Sequence, residues 1–144
     1  MLHVVAAILR STVAEIRAHE HGLTQENFAK VRPGEQVDVD SDYWLAEEQR
    51  GGLTCLAAWE NRQLVGYSVW SNHKSAVDAA NLAISGAIHH TSPFGIRRLV
   101  ALTKDVARHE GAHRFCWRTG YEPFGRFLRR QGARLLEVTY VEDL

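Results

Sequence analysis

The sequence predicts an α/β (α+β) fold, a central mixed sheet of six to seven strands flanked by about four helices. Three observations carry this expectation. Segments 2–9, 53–60, 64–70, 80–89, 113–119 and 133–141 are short and strand-like in pattern. Between the fourth and fifth of them, Ile96, Leu99, Leu102 and Val106 recur at the three-to-four spacing of one helix face. A strand, a helix and a strand in that order favour a right-handed crossover between parallel strands.

The elements follow in order. LHVVAAIL at 2–9 reads as a buried strand. Thr12 and Glu15 have capping-box spacing and open a helix to about His21, with Gly22 as its stop. Residues 23–40 hold Pro33-Gly34 and several acids and read mostly as loop. Ser41 caps a second helix through Arg50, ended by Gly51-Gly52. Leu53–Glu60 and Leu64–Trp70 flank Asn61-Arg62-Gln63, a hairpin arrangement. Residues 71–79 read as a connection into the next strand. That strand breaks at Thr91-Ser92-Pro93 and passes Gly95 into the long helix, which Gly111 stops. His113–Thr119 alternates like a strand, and Gly120–Pro123 breaks it. Phe124–Gln131 reads as a short helix stopped by Gly132, and Ala133–Val141 closes the chain as a strand. No repeat or long linker divides the chain, so residues 1–144 are expected to form a single domain.

Composition narrows the function classes. The chain has 17 Lys/Arg and 17 Asp/Glu. Residues 1–60 hold 5 Lys/Arg against 10 Asp/Glu, a balance of −5, and residues 61–144 hold 12 against 7, a balance of +5. The basic half suits an anionic partner such as a phosphorylated cofactor. Nucleic acid is a weaker fit, because no dense basic run with interleaved aromatics occurs. No apolar run approaches the roughly 20 residues that span a bilayer. The start MLHVVAAILR lacks the features of a signal peptide, so the cytoplasm is the expected compartment. Cys55 and Cys116 fit no metal or redox spacing and are expected to be buried free thiols.

The stretch from Leu82 to Ala112 holds the candidate site. A strand that turns tightly into a helix aims backbone N–H groups, and the positive end of the helix dipole, at the loop. Such a loop binds anions, and here it reads as a cofactor-phosphate cradle.

Three stretches carry a family resemblance. LVGYSVW at 64–70, GIRRLVALTKDVARHEGAHRF at 95–115 and FGRFLRRQGARLLEVTYVEDL at 124–144 resemble the GCN5-related N-acetyltransferase (GNAT) family. They look like its central strand, its cofactor loop with helix and next strand, and its final helix, glycine turn and last strand. The ending resembles small GNAT-like proteins of tailed bacteriophages.

The resemblance implies acetyl-CoA in a V-shaped gap between strands 82–89 and 113–119, beside Ala87 and Ile88. It implies a pyrophosphate held by the loop, here Ser92, Gly95, Ile96, Arg97 and Arg98. It also implies an acid or water relay that deprotonates the amine, and a tyrosine on the last helix that protonates the thiolate. The pattern departs from the family's Arg/Gln-x-x-Gly-x-Gly/Ala loop. Its three signature positions fall on Ser92, Gly95 and Arg97, so one survives. Pro93 offers no N–H. The tyrosine falls on Leu128, and strand 82–88 has no Asp or Glu.

Each candidate has a functional and a structural reading. His89 and His90 stand as a general base, titrating near ~6.5, or as a polar strand end at the surface. Arg97 and Arg98 replace lost amide contacts with charge-assisted bonds, or are solvated. As cations at a helix N-terminus they oppose the dipole by roughly 0.3–1 kcal/mol each. Tyr121 substitutes for the missing tyrosine or packs in a loop. Arg126, Arg129, Arg130 and Arg134 reach a ribose phosphate or line a solvated helix face. Trp59, Trp70 and Trp117 are expected in or beside the core. No metal is expected, because no third ligand stands at a suitable spacing from the two histidines.

Two functions stay open. One is an acetyl-CoA-dependent N-acetyltransferase, with a CoA thioester and an amine as substrates. The other is a catalytically inactive GNAT-fold protein, a binding, assembly or virion component of a bacteriophage. It would work with a protein partner or as a homo-oligomer, in host cytoplasm or virion.

Overall fold

A computed structural model describes residues 7–19, 41–74, 80–119, 121–136, 140 and 142–144. Among them the order is β1 (Ala7–Arg10), α1 (Val13–His19), α2 (Ser41–Gln49), β2 (Leu53–Glu60), β3 (Gln63–Lys74), β4 (Asn81–His90), α3 (Pro93–His109), β5 (Arg114–Cys116) and α4 (Glu122–Arg130). The strands form one sheet in the order β1-β2-β3-β4-β5. The first four pair antiparallel, while β4 and β5 pair parallel across the α3 crossover, as the strand–helix–strand order predicts.

Local signals account for most boundaries. The Thr12–Glu15 capping box forms at α1: Glu15 N–H donates to Thr12 Oγ1 at 3.1 Å and Thr12 N–H donates to Glu15 Oε2 at 3.2 Å. Asn61 and Arg62 both take positive φ, 49° and 63°, the geometry of a tight hairpin whose twist matches its strands. Gly111 ends α3 with φ +97°, a conformation that costs a glycine little.

Several boundaries differ from expectation. The sheet has five described strands instead of six or seven. Residues 133–136 are irregular and exposed where a last strand was expected, and 137–139 and 141 lie outside the described residues. The expected strand at 2–9 is described only from Ala7, and the loop at 23–40 lies outside the described residues. β3 runs on to Lys74 because β4 offers it partners as far as Lys74↔Asn81. β5 spans three residues, where seven were expected. Both later helices start early, since Pro93 and Pro123 occupy first-turn positions, where a missing N–H costs nothing.

Neighbouring strand residues face opposite ways, so the sheet has two cores. Val13, Ile16, Cys55, Ala57, Tyr67, Val69 and Ala87 pack on the α1/α2 face. Leu56, Trp70, Ala83, Leu99 and Ala107 pack on the α3 face. A buried bond from Thr103 Oγ1 to Ser68 Oγ, 2.9 Å, joins α3 to β3. Glu110, capping α3, accepts from Arg10 at 3.0 Å and from Thr54 Oγ1 at 2.7 Å. Trp70 is fully buried, and Trp59 and Trp117 are half-buried. Among the described residues, no helix is long and apolar enough to cross a membrane.

Candidate functional site

Two irregularities in the sheet shape the site. Val69 pairs with Ala87 but Trp70 pairs with Ser85, so Gly86 is an extra residue in β4. Such a bulge bends its strand. It falls just beyond Ile84↔Cys116, where the β4–β5 ladder ends after three pairs. From there β4 runs on to His90 while β5 ends at Cys116. A second bulge lies at Val65, and the Val65 carbonyl accepts the Thr91 N–H at 2.9 Å, one step beyond the Gly66↔His90 pair. The loop into α3 is thereby tied to β3.

The Gly86 bulge also changes which residues face α3. Ala83 lies on that face before it, and Ile88 after it. Ala87 lies on the α1/α2 face. The two histidines therefore point apart. His89 is 4% exposed, on the α1/α2 face beside Tyr67, with ring centroids 6.4 Å apart. The surface reading of the strand end is wrong for His89: the sheet continues over it. His90 turns to the α3 face.

His90 sits between two glycines. A Cβ on Gly66 would fall 2.5 Å from His90 Cδ2, and a Cβ on Gly95 would clash with Cε1, Nε2 and Nδ1 of the same imidazole. The ring thus lies directly on the helix N-terminus. Its Nδ1 accepts the Ser92 N–H at 3.0 Å. The neutral ring then carries its proton on Nε2 and has no open lone pair, so in this arrangement His90 is not a general base. Gly95 was expected to make room for a pyrophosphate, yet here it makes room for His90. Gly66 escaped notice in the sequence, although a glycine inside a strand is itself a sign of close approach.

The remaining loop donors are largely used. Ser92 is the N-cap, and its Oγ accepts the Gly95 N–H at 3.0 Å. Its carbonyl accepts the Ile96 N–H at 3.1 Å. Phe94 N–H has no partner among the described residues, and its side chain is 67% exposed. Arg97 is exposed and makes no ion pair among the described residues, while Arg98 is half-buried. One amide and one guanidinium are therefore ready for an anion.

Burial lowers the His90 pKa below its ordinary 6.5, with Glu60 opposing and Arg98 reinforcing the shift. As pH falls below about 6.5 the unfolded chain takes the proton first, and stability is lost through the lower, folded pKa. Wild type should therefore lose more melting temperature between pH 7.5 and 5 than His90→Asn, which keeps an acceptor for Ser92. Parallel losses would show that another group titrates.

Other candidates lie elsewhere. Tyr121 stands at the N-cap of α4, 38% exposed, and Leu128, at the expected tyrosine position, is buried at 7%. Arg126, Arg129, Arg130 and Arg134 are exposed, Arg129 paired with Glu122 at 2.9 Å. Cys55 is buried near Glu48, which with burial pushes its thiol up to about 12. Cys116 is only half-buried. A depression of about 270 Å³ lined by Asn72, His73, Lys74, Asn81, Glu110 and Ala112 lies at the far end of α3. Among the described residues, no three His, Cys, Asp or Glu side chains converge as metal ligands.

No protein-family model matches the chain, and no curated protein matches it in sequence. Solved structures do match. A ribosomal-protein-alanine N-acetyltransferase from Brucella melitensis biovar Abortus 2308 is 16% identical, with a TM-score of 0.70, covering 98% of this chain and 100% of that one. An aminoglycoside acetyltransferase from an uncultured soil metagenomic sample, in complex with sisomicin, is 14% identical, with a TM-score of 0.72 and 97% of each chain covered. A Trypanosoma brucei acetyltransferase is 11% identical, with a TM-score of 0.67, covering 96% and 99%. The chain has the GNAT fold. At these identities the GNAT fold alone is shared. Within it, the ladder between β4 and β5 ends at Ile84↔Cys116, short of the N-terminus of α3. The fit to acetyl-CoA is partial: Phe94 N–H and Arg97 suit a phosphate, and the N–H groups of Ser92, Gly95 and Ile96 are occupied.

Proposed function

We propose that the chain is an N-acyltransferase taking a coenzyme A thioester in the gap between β4 and β5 and an amine as acceptor. The early end of the β4–β5 ladder, with β4 running on alone to the N-terminus of α3, supports this reading. The neighbours named for ribosomal-protein alanine and for aminoglycosides support an amine as acceptor and leave its size open. The thioester supplies the activated acyl group. The chain supplies binding and orientation, which yield much of the rate in such a transfer. In this reading Arg97 and the Phe94 N–H hold phosphate. Ala87 and Ile88 border the thioester arm, and His89 takes the amine proton. Tyr121, exposed at the start of α4, is the candidate donor to the leaving thiolate.

Calorimetric titration with CoA tests the reading. Wild type should bind, and Arg97→Ala should bind about ten- to a hundred-fold more weakly, the loss of about 1.5–3 kcal/mol for a hydrogen bond to a charged group. A second reading, a GNAT-fold binding, assembly or virion component without turnover, is favoured by the occupied loop amides and by the buried Leu128. A folded wild type that ignores millimolar CoA would select it.

A further inference from the structure

We infer that His90 is an autoinhibitory side chain, the resident occupant of the phosphate cradle, which a ligand phosphate must displace to reach the Ser92 N–H and to lie against Gly95. The inference rests on the acyltransferase reading and concerns how its site opens. Three contacts carry it. The ring covers Gly95, the surviving signature glycine, so that no group larger than hydrogen fits there while His90 is in place. Its Cδ2 edge also lies against Gly66 of β3, where a Cβ would not fit. Its Nδ1 takes the Ser92 N–H, one of the donors a loop of this kind offers to an anion.

An empty cradle of converging N–H groups would leave polar donors without partners, and each buried one carries a cost. Here the imidazole supplies an acceptor in place of a phosphate oxygen. The consequence is a competition. A ligand binds by the affinity of the open loop, reduced by the fraction of molecules in which His90 has swung away. Arg97, exposed in the first turns of α3, offers a first contact before displacement. The Ser92 Oγ bond to Gly95 N–H keeps the helix capped in either state.

Two measurements test this on the full chain. First, CoA is titrated into wild type and His90→Ala. The variant should bind at least about ten-fold more tightly, because the cradle no longer needs emptying. If His90→Ala does not fold, His90→Val, which has no acceptor for the Ser92 N–H, replaces it. Second, Gly95→Ala is made in both backgrounds. It should lower the melting temperature of wild type, and lower that of His90→Ala by less than half as much, since the clash partner is gone. Equal or weaker CoA binding by the histidine variant, with clear binding by wild type, overturns the inference and leaves the acyltransferase reading standing. An undiminished Gly95→Ala effect without His90 overturns it as well. If wild type and variants are folded and none binds CoA, both the reading and the inference fall.

Discussion

Trp70→Ala is expected to destabilise the fold by about 3–5 kcal/mol, the range for removing a large aromatic from a core. Trp70 is fully buried on the α3 face of β3, packed with Leu56, Ala83 and Leu99. Its ring lies 6.2 Å from Phe115, which stacks on Trp117 with centroids 4.1 Å apart. Truncation would therefore undermine β5 as well as the seat of α3. A domain of this kind has about 5–15 kcal/mol in all, so the loss is a large share. Trp70→Phe is the informative companion. The indole Nε1 has no hydrogen-bond partner among the described residues, so its removal recovers part of the desolvation cost. A loss of no more than about 1.5 kcal/mol is expected there. Urea denaturation checks both: the midpoint should fall steeply for alanine and little for phenylalanine, with an unchanged slope. Equal midpoint shifts would show that the buried N–H carries no cost.

Gly66→Val should cost about 3 kcal/mol, at the upper end of the overpacking range. The first added carbon would lie 2.8 Å from the carbonyl oxygen of His89 and against the ring of His90. A side chain can rotate away, but a strand backbone held in register cannot. Gly66 pairs with His90, so the strain falls where β4 enters the loop, and CoA binding should fall with stability. Gly86→Ala is the control. Its Cβ would rest 3.5 Å from the Val69 carbonyl, an ordinary contact, so a change within about 0.5 kcal/mol is expected. Thermal melts of the two variants decide it. A Gly66→Val melting temperature within a degree or two of wild type would mean that His89 and His90 are not where the packing places them.

Much of the secondary structure was legible because its causes are local. The Thr12–Glu15 box, the Asn61-Arg62 turn, the Gly111 stop and the spacing of Leu99, Leu102 and Val106 act over a few residues, and each formed as read. The parallel pairing of β4 with β5 followed from their order around α3. The stretch of strand beyond Trp70 was misread, because polar Ser71, Asn72, His73 and Lys74 are strand only through pairing with β4. The fate of the site's residues was not legible at all. His89 and His90 look like a pair on paper, and strand alternation sends them to opposite faces. Which face each takes depends on the Gly86 bulge, a property of the match between two strands. The role of Gly95 was likewise hidden, since the ring that covers it also lies against Gly66 on a different strand. The sequence by itself determined most of the elements, their order and the strand–loop–helix passage from β4 into α3. Only the tertiary structure decided that His90 packs on Gly95 at that loop, because period and capping act within a few residues, whereas this contact depends on strand register between segments far apart in the chain.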